Sequence, residues 1–100
     1  WHLHKLGLWL PAGDVVSNGA GALHAAAGIR ARLDSGATLQ ITPLDSPLFA
    51  PADAAFMSFA PVAADFSSGI RCNLHNNKWG TNFPMWCEGT LRFRFDLALS

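Results

Sequence analysis

Between Asn73 and Trp86 the chain gathers four asparagines (Asn73, Asn76, Asn77 and Asn82), the aromatic residues Trp79, Phe83 and Trp86, and His75, with Gly80 and Pro84 to shape the backbone. Amide side chains both donate and accept hydrogen bonds, and flat indoles stack on the apolar faces of sugar rings, so this mixture suits a carbohydrate. The same residue types also satisfy turn backbones and cap cores, and composition does not choose between the two uses. His2 and His4, two apart, share one face of an extended segment, a spacing that zinc sites employ. A third ligand is not evident, His24 and His75 being candidates only if the fold brings them close, and no metal or cofactor is assigned.

The seven acidic residues are scattered through turns and strand ends, without the facing pair that glycoside hydrolysis requires. Asp45, between Leu44 and Ser46, is the carboxylate to single out, either for substrate hydroxyls or for capping the Ser46-Pro47 turn. No Gly-x-Ser-x-Gly nucleophile elbow is present, and Gly19-Ala20-Gly21 lacks the third glycine, preceding strand and helix of a dinucleotide fingerprint.

Strands must position these residues. Leu91, Phe93, Phe95, Leu97 and Leu99 alternate with Arg92, Arg94, Asp96 and Ala98, the period of a half-buried strand. Ile29, Ala31 and Leu33 alternate with Arg30 and Arg32, and Asp34-Ser35-Gly36 then turns the chain into Ala37 to Ile41, which predicts a β-hairpin. A further strand is expected over 69–74, with Ile70, Cys72 and Leu74 on one face and Arg71 and Asn73 on the other. The Ala-rich run near Leu23 to Ala27 is read as a strand continuing toward Leu33. Prolines at 43, 47, 51 and 61 argue against a regular central strand from Pro43 to Asp65. This span reads as a long Pro/Ala-rich connection whose Leu48, Phe49, Phe56, Met57 and Phe59 pack on the sheet or on a neighbour. The expected fold is all-β with five or six strands, an antiparallel β-sandwich or part of one, as a single domain over 1–100.

Composition sets the context. Half of the 100 residues are hydrophobic and only 14% are charged, against roughly a quarter in an ordinary soluble domain. A small domain keeps much of its side-chain area outside, so the apolar excess predicts a partner subunit or a neighbouring domain. Seven basic residues balance seven acidic ones, leaving no net field to draw nucleic acid or an acidic membrane surface. Apolar runs fall far short of the ~20 residues that span a bilayer, which predicts a soluble or peripheral chain. Cys72 and Cys87 allow one disulfide and equally suit buried thiols, and they are read as free. The chain begins at Trp1 without a secretory signal pattern, which reads as a piece of a longer protein. No compartment is indicated.

The run Asn73-Leu74-His75-Asn76-Asn77-Lys78-Trp79-Gly80-Thr81-Asn82-Phe83-Pro84-Met85-Trp86, followed by Leu91-Arg92-Phe93-Arg94-Phe95, resembles the C-terminal end of glycoside-hydrolase-like proteins related to the family 38 α-mannosidases. The pieces Leu3 to Gly7, Gly21 to Ala25 and Thr42 to Ser46 fall in the order expected for that region. The resemblance implies a non-catalytic C-terminal accessory β domain whose parent carries its catalytic residues in an upstream domain. It implies packing on that catalytic domain and a contribution to the rim of its pocket, with Asp45, His75, Asn76, Asn77, Trp79 and Asn82 as the substrate-side candidates. Two other readings stand beside it: an independent carbohydrate-binding module built on Trp79 and Trp86, and an interaction unit that associates through exposed β edges.

Overall fold

A computed structural model describes residues 1–14, 22–53, 65–75, 86 and 88–100. Those residues form eight strands and no helix: β1 (His2–Lys5), β2 (Leu8–Pro11), β3 (His24–Ala25), β4 (Gly28–Arg32), β5 (Thr38–Pro43), β6 (Leu48–Pro51), β7 (Ile70–Cys72) and β8 (Phe95–Leu99). They make two antiparallel sheets. One has five strands in the order β2-β1-β4-β5-β8, and the other has three in the order β3-β6-β7.

The alternation in the sequence becomes the two faces of the large sheet. Cross-strand partners line up as Leu10, Leu3, Ile29 and Ile41 across β2, β1, β4 and β5, with Leu97 of β8 opposite Ile41 and Leu99 opposite Leu39. Because side chains alternate along a strand, these residues share one face, while His2, His4, Trp9, Arg30, Gln40 and Asp96 stand on the other. The small sheet directs His24, Phe49, Cys72 and Ile70 toward the apolar face. The core lies between the sheets, where Leu3, Ile29, Phe49 and Phe66 are buried and Ile41, Ile70 and Cys72 pack around them.

The expected hairpin over 29–41 is present. Its loop is Asp34-Ser35-Gly36, closed by Gly36 N–H donating to the Leu33 carbonyl at 2.9 Å and Leu33 N–H to the Ala37 carbonyl at 2.8 Å. Gly36 has φ +85, the left-handed residue of a three-residue hairpin loop. Ile70 and Cys72 share the inward face as expected, but β7 ends at Cys72 and leaves Leu74 exposed.

Four expectations are corrected. The described residues alone hold eight strands where five or six were expected. The stretch from Pro43 to Asp65 does hold a central strand: β6 runs between β3 and β7, with the prolines at its margins. Pro47 precedes it and Pro51 ends it, so the missing proline N–H groups fall outside the paired middle residues, Phe49 and Ala50. The Ala-rich run is not continuous with β4. The chain leaves the small sheet after Ala25, where Ala26 N–H donates to the Pro47 carbonyl at 2.9 Å, and enters the large sheet at Gly28. The C-terminal strand begins at Phe95 and not at Leu91.

The first hairpin had no strong signal in the sequence. Leu6 and Gly7 form its two-residue loop, both with positive φ (51 and 82), the arrangement of a type I′ turn. That turn prefers Asn-Gly or Asp-Gly, and a fully exposed leucine in the left-handed region hides it. Of the residues expected to pack from the long connection, Phe49 is wholly buried. Phe56, Met57 and Phe59 lie outside the described residues.

Candidate functional site

Asp45 follows β5 and is gripped by Arg94, which precedes β8. Its Oδ2 accepts hydrogen bonds from the Arg94 backbone N–H at 2.8 Å and from Nε at 2.9 Å, and its Oδ1 accepts from Nη2 at 2.8 Å. This bidentate fork extends the β5–β8 ladder past Pro43, where Leu44 N–H donates to the Arg94 carbonyl at 3.0 Å. The side-chain hydrogen bonds from Arg94 hold the Asp45 carboxyl below the usual carboxylate range. The hydrogen bonds of Asp45 thus run to Arg94 and not to the Ser46-Pro47 turn. It is a staple between two strand ends. Ser46 is occupied elsewhere, its hydroxyl donating to the Asn73 carbonyl at 2.6 Å.

Of the other residues singled out, His75 is exposed just after β7. Asn76, Asn77, Trp79 and Asn82 lie outside the described residues. Trp86 is 75% exposed and offers its indole to solvent. His2 and His4 share the outward face of β1, as expected, and His4 is engaged: its imidazole stacks on Trp9 with centroids 4.8 Å apart and planes 19° apart. The Arg30 guanidinium lies 4.5 Å from the same indole. Gly28 lets the indole lie over the sheet, since a Cβ there would stand 3.5 Å from Trp9 Cη2 and 3.4 Å from the Ile41 carbonyl. No group of three or more potential metal ligands occurs among the described residues. Cys72 is a free thiol whose ionisation burial pushes up, and Cys87 lies outside the described residues.

The feature that sequence reasoning located only as an apolar excess is the far half of the inner face. Strand axes lie about 4.8 Å apart, so three strands span roughly 10 Å between their outer axes and five span roughly 19 Å. Among the described residues, the small sheet is too narrow to cover the large one. Leu3 and Ile29 are buried beneath it, whereas Leu97 and Leu99, on the same face, are each 69% exposed. Among the described residues β8 is in addition the edge strand, with no partner strand on its outer side.

A second residue that the sequence left unremarked is Lys5. It stands on the inner face of β1, where the alternation calls for an apolar side chain, and its Nζ lies 3.4 Å from Nδ1 of His24.

The fold and these contacts define a two-sheet, all-β domain. Comparisons with protein-family models, with curated proteins and with solved structures found no match for the chain.

Proposed function

We propose that the chain is a non-catalytic accessory β domain that works by packing its half-covered sheet on a larger partner, its parent being a carbohydrate-active, glycoside-hydrolase-like enzyme. The observation that carries the packing role is the continuation of the apolar face onto β8, with Leu97 and Leu99 each 69% exposed beside a dry core. The carbohydrate context rests on the resemblance of the segments 73–86 and 91–95. In such a domain Asp45, His75, Asn76, Asn77, Trp79 and Asn82 would stand on the substrate side. The grip of Arg94 bears on Asp45 in this reading: to bind a sugar hydroxyl, the carboxylate must share or surrender one of its three donors.

Purified alone, the chain is expected to self-associate through the bare face and to hydrolyse no aryl glycoside. Light scattering that shows a monomer at every concentration would remove the packing role. Turnover by the chain, lost in Asp45→Asn, would remove the non-catalytic one.

The exposed indole of Trp86 favours a second reading, an independent carbohydrate-binding module that stacks a sugar ring on that face. Oligosaccharide titration followed by tryptophan fluorescence, with Trp86→Ala as control, tests it. The absence of any saturable change in folded protein sinks this reading.

A further inference from the structure

The two sheets do not close evenly at the end where β1 meets β3. A half-open cavity of about 210 Å³ remains there, lined by Leu3, Lys5, Leu10, Pro11, Ala12, Asp14 and His24. Its walls are mainly apolar. Leu3 and Ala12 are almost wholly buried, and Ala12 is fixed by its N–H donating to the Trp1 carbonyl at 2.9 Å. Two polar groups converge on this space from opposite sheets. His24 is inward on β3 and only 3% exposed, with its ring tilted against Phe66 at 5.5 Å. Lys5 is inward on β1 and directs Nζ at Nδ1 of His24.

A lysine on a core-facing position is costly unless its charge is matched. Here the matching group is not a carboxylate. The ammonium points at an imidazole nitrogen across a long 3.4 Å contact, and among the described residues no Asp or Glu lies within ion-pair distance of it. Asp14 is on the rim and exposed, and it leaves Lys5 un-neutralised. The imidazole takes only one of the three N–H donors of Lys5. What remains is a positive charge with unused donors at the edge of an apolar hollow.

We propose that this cavity is a binding site for a small monocarboxylate with a compact apolar body. The carboxylate would take the free donors of Lys5, and the body would displace water from Leu3, Leu10, Pro11 and Ala12. The size fits: an apolar cavity of about 150 Å³ already admits a benzene ring, and this one is larger at about 210 Å³. His24 acts as a positioning residue. By accepting from Nζ it orients the partly buried ammonium toward the cavity. The site depends neither on the packing role of β8 nor on a carbohydrate.

Benzoate and hexanoate are the probes, titrated into the ¹⁵N-labelled chain and followed by amide shifts. Saturable shifts are expected at Leu3, Lys5, Leu10, Ala12 and His24, with a dissociation constant on the order of 1 mM for ligands this small. Lys5→Met, which keeps the apolar stem, should weaken binding roughly tenfold or more, since a charge-assisted hydrogen bond is lost. Lys5→Arg should retain it. Benzyl alcohol, matched in size but uncharged, should bind no better to wild type than benzoate binds to Lys5→Met. The proposal is overturned if folded wild type shows no saturable shift with either acid well above that concentration. It is equally overturned if benzyl alcohol matches benzoate on wild type, which would make the hollow an apolar cavity without a carboxylate site.

Discussion

One face of the five-stranded sheet lives in two environments. Over β1 and β4 it meets the small sheet, and Leu3 and Ile29 are removed from water by Phe49 and Phe66. Over β5 and β8 the stripe continues in register, Ile41 opposite Leu97 and Leu39 opposite Leu99, but its outer leucines remain in solvent. Residue type and alternation are the same in both halves. The difference lies in what stands above them: one half is buried in the core, and the other is the surface on which the proposed packing role rests.

The largest expected effect tests that division directly. Phe49→Ala should cost about 3–5 kcal/mol and Leu3→Ala about 2–5 kcal/mol, since each leaves a cavity between the sheets. Against a total stability of roughly 5–15 kcal/mol, either change brings the domain close to unfolding. Leu97→Ala and Leu99→Ala should stay within about 0.5 kcal/mol, as for surface positions. Denaturant melts of the four variants measure the contrast, and equal losses in the two halves would break it. The double variant Leu97→Lys/Leu99→Lys should reverse the order: little change in Tm, but loss of self-association by light scattering.

The two hairpin turns sharpen the comparison with smaller effects. Gly36 adopts φ +85 at the loop joining β4 to β5, and Gly36→Ala should destabilise by about 1–2 kcal/mol, the penalty of a left-handed residue with a Cβ. Leu6 already bears that penalty in the β1–β2 turn, so Leu6→Asn should stabilise by about 0.5–1 kcal/mol, read as a rise in Tm.

The smallest effect belongs to the exposed clamp between Asp45 and Arg94. Because the folded carboxyl sits below its ordinary value of about 3.9, the clamp stabilises fully above that pH and is lost as pH falls through the lowered value. Tm curves of wild type and Asp45→Asn should therefore separate slightly at neutral pH and draw together in acid. Salt should also narrow the gap at neutral pH.

Much of the architecture was legible locally. The hairpin over 29–41, the inward pair Ile70 and Cys72, and the apolar stripe ending at Leu99 all follow from period-two alternation and a glycine turn. The first hairpin was not legible, because Leu6 occupies a turn position that its side chain disfavours. Nor was β6, because prolines mark the margins of a strand as readily as its absence. Among the candidate residues, the choice of Asp45 was informative only in part. The sequence marked it as a carboxylate at a strand end, and its partner lies 49 residues away, beyond any local pattern.

By itself, then, the amino-acid sequence determined an all-β chain with two-faced strands and more apolar surface than a domain of this size can hide. Only the tertiary structure decided how that surface is shared. Among the described residues it set three strands over five, so that Leu3 is dry and Leu99 is wet. It brought Lys5 and His24 together from opposite sheets, and it spent the charge of Asp45 on Arg94. Alternation is a property of a strand and its two faces, whereas cover, ion pairing and cavities depend on which strands meet across the core, and those encounters join residues far apart in the chain.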